Sequence, residues 1–213
     1  VFNFRRRPRA KGKLAEFYDS QVPKPSAGLS DLPLLAVDME TTGLDAQQHR
    51  ILSIGWVPIN GREIDLSGAG YVLVKGAAVG ESATIHHLTD DMVASGVDEA
   101  EAVGQLLDAL QGRVMLNHFS RLEVTFLDSA CRRHFDGPFE STVVDTFAIE
   151  RRHMERMGTY PRGEDLRLAR VRNRYHLPNY RNHNALTDAL ACAELYLAQV
   201  SQTKALTVKS LQY

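Results

Sequence analysis

The run Leu34-Leu35-Ala36-Val37-Asp38-Met39-Glu40-Thr41-Thr42-Gly43 constrains this chain more than any other stretch. Four apolar residues of strand character lead into two carboxylates spaced two apart, and a Thr-Thr-Gly turn follows at once. On a strand, residues i and i+2 share a face, so Asp38 and Glu40 converge while Val37 and Met39 point the other way. Two carboxylates at the end of a buried strand repel each other and lose hydration unless a cation lies between them. Hard divalent cations such as Mg²⁺ prefer carboxylate oxygen. The alternative is the polar end of a solvated edge strand, and residues 34–43 alone leave both readings open.

A second stretch shifts the balance. In His183-Asn184-Ala185-Leu186-Thr187-Asp188-Ala189, a helical pattern begins near Ala185, and Leu186, Leu190, Ala193 and Leu197 recur at helical spacing as its expected buried stripe. Asp188 falls on or just past the first turn. In one continuous helix His183 and Asp188 would lie about 140° apart, so they meet only if His183 sits in the preceding loop. Asn182 or Asn184 is then the expected N-cap. A histidine beside a carboxylate suits a general base, since an unperturbed imidazole titrates near pH 6.5. A lone histidine at such a place also serves simply as part of a helix start.

Asp38-Met39-Glu40-Thr41-Thr42-Gly43-Leu44 and His183-Asn184-Ala185-Leu186-Thr187-Asp188-Ala189 together resemble the first and last motifs of the DEDD 3′–5′ exonucleases. The match is to the histidine-containing branch, which includes the epsilon subunit of DNA polymerase III and RNase T, and it runs from about residue 32 to 200. The resemblance implies a ribonuclease H-like α/β fold, with a mixed central sheet flanked by helices. It also implies hydrolysis of DNA or RNA from the 3′ end, releasing nucleoside 5′-monophosphates with two Mg²⁺ or Mn²⁺ ions. Under it, Asp38, Glu40, Glu123 and Asp188 are the metal ligands and His183 the base. The Thr41 and Thr42 amides, the Leu44 side chain and His118 lie toward the terminal nucleotide. Implied partners are single-stranded DNA or RNA 3′ ends, with a homodimer or an association with a polymerase.

The middle motif departs from the family. In Asn117-His118-Phe119-Ser120-Arg121-Leu122-Glu123-Val124-Thr125-Phe126-Leu127, matching Phe126-Leu127 puts Glu123 where the family has aspartate. Glutamate keeps the charge but reaches one methylene further; the alternative is a solvated helix residue. His118 and Asn117 end a short strand, facing the cleft or packing under it. Asp145, in Val143-Val144-Asp145-Thr146, reads as a helix N-cap rather than a ligand. The departure at Glu123 leaves a second function open, a nucleic-acid-binding or scaffold module that keeps the fold without turnover.

Charge is distributed unevenly around a net of −1. Residues 1–13 carry six basic residues and no acid, and Arg151–Arg181 holds nine arginines against three acids, whereas Thr89–Leu110 is acidic. Basic segments flanking an acidic centre fit a polyanionic substrate; the N-terminal run reads equally as solvated surface. At 213 residues, 44% of them hydrophobic, the chain is long enough for one well-buried core. No apolar run approaches the roughly 20 residues needed to span a bilayer and no signal-peptide pattern opens the chain, so no membrane association is expected. Cys131 and Cys192 read as small core residues, which favours a reducing, cytoplasmic setting, and no Cys/His spacing points to zinc.

The expected strands are Leu34–Glu40, Ile51–Ile59, Tyr71–Val74, Val114–Leu116 and Thr142–Val144. The expected helices are Asp98–Leu110, Leu122–Arg133, Phe147–Met154, Asp165–Tyr175 and Ala185–Val200. Residues 1–31, rich in proline and basic side chains, read as an arm or linker, 32–204 as the exonuclease domain and 205–213 as a tail. The absence of methionine at residue 1 reads as a longer chain with its start omitted or removed.

Overall fold

Strand β1 (Pro33–Thr41) lies in the middle of a six-stranded mixed sheet. On one side it pairs antiparallel with β2 (Ile51–Asn60), which in turn pairs with β3 (Glu63–Ile64) and β4 (Gly70–Leu73). On the other side it runs parallel to β5 (Val114–Asn117), and β5 to β6 (Val143–Asp145). This computed structural model describes residues 9–76, 94–180, 183–201 and 207–211. Asp90, Asp91, Arg181, Asn182 and the first eight residues, with their arginines, lie outside that set.

The alternation of β1 sorts its side chains onto two faces. Leu35, Val37 and Met39 enter one core with α1 (Gly12–Asp19), α2 (Glu99–Leu110) and α3 (Arg121–Phe135). Leu34 and Ala36 enter a second core with α4 (Thr146–Arg156), α6 (Ala185–Ser201) and α7 (Val208–Leu211). Because both faces of the sheet are covered, β2 is buried at every position but its last, so its imperfect alternation is that of a strand apolar on both sides. Asp38 and Glu40 continue the Leu34–Ala36 face, beneath α6.

Four expectations need correction. Residues 1–31 are not merely an arm: α1 packs on α2 and α3, with Leu14 and Phe17 at the bottom of the first core. Lys11 and Lys13, from the basic run, pair with Asp136, Glu16 and Asp108. Likewise Val208 and Leu211, from the expected tail, are buried in the second core, and Gly28 bridges to Thr207. The helix expected over Asp165–Tyr175 is broken: a 3₁₀ turn at Gly163–Leu166 stops where Arg167 turns extended, and α5 (Leu168–Arg174) starts afresh. The stripe of α6 is also rotated. Ala189, Cys192, Ala193 and Tyr196 face the core, while Leu186, Leu190 and Leu197 pack at its margin.

Both cysteines are buried and free. Among the described residues no helix is long and apolar enough to cross a membrane.

Candidate active site

A cleft of about 560 Å³ opens over the end of β1, lined by Asp38, Glu40, Glu123, His183 and Asp188 among others. Carboxylate oxygens of Asp38, Glu40 and Asp188 all lie within 4.8 Å of one another. Two of them come from one face of one strand. The third arrives because α6 begins directly on the sheet: a Cβ added at Gly55, the register partner of Asp38, would fall 2.3 Å from the Ala185 carbonyl carbon and the Leu186 nitrogen. Gly55 therefore admits the first turn of α6, with Asp188 on it, against β1 and β2.

The start of α6 is built as the sequence leads one to expect. Asn184 caps it, its Oδ1 accepting from the Thr187 amide at 3.0 Å. His183 precedes the cap in a left-handed backbone conformation, φ 72°, and its amide donates to Asp188 Oδ2 at 2.8 Å. The His183 side chain is exposed on the cleft, so histidine and carboxylate meet through the loop, not along one helix. The approach to that loop is clamped. Arg172, buried on α5, donates to the carbonyls of Ala191 and Pro178 and to Glu194, and lies over the Tyr180 ring, whose hydroxyl also donates to Glu194.

Glu123 stands near the start of α3 and is 3% exposed, so it is no solvated helix residue. It faces the same cleft but outside the tight group of three. Its Oε2 is buried without a hydrogen-bond partner among the described residues. Burial, reinforced by the neighbouring carboxylates, pushes Glu40 and Glu123 up to about 8 and Asp38 well above the usual carboxylate range. Burial raises Asp188 too, opposed by the His183 amide. Four carboxyl groups crowded at one cleft, each holding its proton above the usual carboxylate range, form a place that a cation would stabilise. An all-oxygen donor set with one orphaned oxygen fits hard divalent cations such as Mg²⁺ or Mn²⁺.

The turn after β1 is held internally. Thr41 Oγ1 donates to the Gly43 carbonyl, and Thr42 Oγ1 accepts from the Arg50 amide. The Thr42 amide, expected toward a nucleotide, donates instead to the Arg50 carbonyl at 3.0 Å, because the β1–β2 pairing extends through it. Leu44 stands 83% exposed on that turn. His118 lines the cleft, but both of its nitrogens are engaged, Nδ1 with Thr146 Oγ1 at 2.9 Å and Nε2 with the Leu166 carbonyl at 2.7 Å. Burial lowers its affinity for protons, so Nε2 donates from a neutral ring. Asn117 packs beneath, its amide donating to the Val37 carbonyl.

Asp145 does more than cap a helix. Its Oδ1 accepts from the Phe147 amide on α4 and from Phe119, and its Oδ2 from Ser120. It thus ties the β5–α3 turn to α4. The cleft wall also includes Phe119, Arg167 and Arg170, none singled out by the sequence. The arginine-rich run was the only signal for the last two, and an aromatic residue in a turn carries none.

Residues 35–196 match the family model described as Exonuclease, the RNase T type. The DNA polymerase III subunit epsilon of Treponema pallidum (strain Nichols) is 28% identical over 169 residues, covering 78% of this chain and 75% of that protein. Among solved structures, the nuclease domain of 3′hExo, a DEDDh family member bound to rAMP, aligns with a TM-score of 0.70 at 14% identity, covering 84% of this chain and 97% of the other. Escherichia coli exonuclease I in complex with a dT13 oligonucleotide aligns with a TM-score of 0.64 at 14% identity, over 81% of this chain and 41% of the other. These structures share the ribonuclease H-like fold of the chain.

Proposed function

Because the chain belongs to the RNase T exonuclease family, and is therefore a nuclease, we propose that it removes nucleotides from the 3′ ends of single-stranded DNA or RNA as nucleoside 5′-monophosphates. The observation that carries this reading is the group of Asp38, Glu40 and Asp188 oxygens within 4.8 Å of one another, beside the orphaned Glu123 oxygen. Asp38, Glu40 and Asp188 would hold one cation, and Asp38 with Glu123 a second. When bound, two such cations offset the charge of the scissile phosphate and make water easier to deprotonate.

His183 takes a proton from the attacking water, whose oxygen then bonds to phosphorus. The bond from phosphorus to the 3′ oxygen of the preceding nucleotide breaks, and that oxygen leaves on the shortened strand and takes a proton from solvent water to become a hydroxyl. Asp188 orients His183 by accepting a hydrogen bond from its amide, and the Arg172–Glu194–Tyr180 clamp holds the chain at Pro178 and Tyr180. Arg167 and Arg170 on the cleft wall supply attraction for the phosphate backbone. Leu44 packs against the terminal nucleotide. The epsilon relative is by name a DNA polymerase III subunit, which makes a polymerase the association to look for by sizing.

A 5′-labelled oligonucleotide with Mg²⁺ or Mn²⁺ tests the reading. A ladder growing from the 3′ end and abolished by EDTA is expected. A retarded but intact band overturns turnover and points to a binding module. Running DNA and RNA, two and 24 nucleotides long, in parallel identifies the substrate class.

A further inference from the structure

Phe119 is the cleft residue whose conformation its own chemistry explains least. Its φ of 71° lies in the left-handed region, which bulky L residues seldom enter, and the residue is 49% exposed. The conformation is imposed from outside, because Asp145 accepts from the Phe119 and Ser120 amides at 2.9 and 3.0 Å. A backbone held in a sparsely populated state at a functional cleft invites the question of what its side chain does there.

One side of the ring is braced. It meets Phe147 edge-on, with centroids 5.2 Å apart at 63°, and Phe147 in turn contacts His118 at 5.8 Å. The Arg151 guanidinium lies 5.0 Å over the Phe147 ring. An aromatic shelf with a cation at its outer end therefore leads out of the carboxylate cleft.

We infer that Phe119 is a stacking platform for a base of the single-stranded substrate, with Phe147 as its buttress and Arg151 beside the backbone phosphate. This rests on the exonuclease reading above and adds the contact by which the strand is gripped. Every base presents a π face, so one ring engages a strand regardless of sequence, and the neighbouring cation adds charge complementarity. A base paired in a duplex offers no free face until it is unstacked, so the shelf favours single-stranded ends.

The test uses an oligonucleotide carrying 2-aminopurine near its 3′ end, bound in the presence of Mg²⁺ to an Asp38→Asn protein. The parent is expected to quench the fluorophore. Phe119→Asn, a residue at ease in the left-handed region, is expected to lose that quenching and about tenfold in affinity without a fall in Tm. Phe119→Trp should retain both. In the active enzyme Phe119→Asn should lower kcat/KM by a similar factor, mainly through KM. Equal quenching and affinity for Phe119→Asn and its parent overturn the stacking role alone. A parent that binds no oligonucleotide overturns that role together with the exonuclease reading.

Discussion

Asp38 and Gly55 face each other across the β1–β2 pair, and the hydrogen in place of a side chain at Gly55 is what lets the first turn of α6 lie against the sheet. The distance between the two halves of the acidic centre is thus set by a residue with no chemistry of its own. Gly55→Ala would put a carbon 2.3 Å from backbone that has no rotamer to yield. The helix must shift, and a displacement near 1 Å costs on the order of a hundredfold in turnover. Circular dichroism should show the fold retained, with a lower Tm and weaker metal affinity by calorimetry.

Asp38→Asn removes the carboxylate placed to serve both cations. Turnover should fall to the detection limit of the labelled-oligonucleotide assay. Without metal the variant should melt no lower than the parent, since it loses a buried carboxyl that Glu123, Asp188 and Glu40 all repel. Near-parental rates would remove Asp38 from the centre.

Glu123 has a buried oxygen with no hydrogen-bond partner among the described residues. Glu123→Asp draws the carboxylate back by about 1.5 Å and should cost on the order of a hundredfold in activity. Glu123→Gln should cost more, because it removes the charge while keeping the length. Unchanged kinetics in both variants would leave Glu123 a bystander.

The stability of the metal-free protein should fall as pH rises. Glu40 and Glu123 bind protons more tightly folded, to about 8, than an ordinary glutamate near 4.5. Their protonated forms contribute stability that is fully present below about pH 4.5 and is lost as pH rises through about 8. In EDTA, Tm should therefore decline across that window, and Glu123→Gln should flatten part of the decline. With Mg²⁺ present the trend should weaken or reverse at high pH, since cations compete with those protons. Scanning fluorimetry from pH 5 to 9 checks both.

His183→Ala should lower the single-turnover rate by about a hundredfold at saturating metal, within the range general-base catalysis contributes. Oligonucleotide affinity should stay within a few-fold. A collapse of affinity with an intact single-turnover rate would make His183 a substrate contact.

What was readable from the sequence is local. Strand alternation put Asp38 and Glu40 on one face whatever the rest of the chain did, and the helical pattern beginning near Ala185, with Asn182 or Asn184 as its cap, left His183 in the loop before α6. What tertiary structure decided depends on distance between segments far apart in the chain. Leu14 and Phe17 look unremarkable in a basic, proline-flanked stretch, yet they close a core whose other members lie up to more than a hundred residues away. The leucines of α6 carry the helical period, but the close approach at Gly55 favours its small side chains, so the alanine face turned inward. The burial of Glu123, the commitment of the Thr42 amide to Arg50 and the left-handed Phe119 held by Asp145 are of the same kind. Each is set by a partner that periodicity cannot see, because desolvation and close packing act through space and not along the chain.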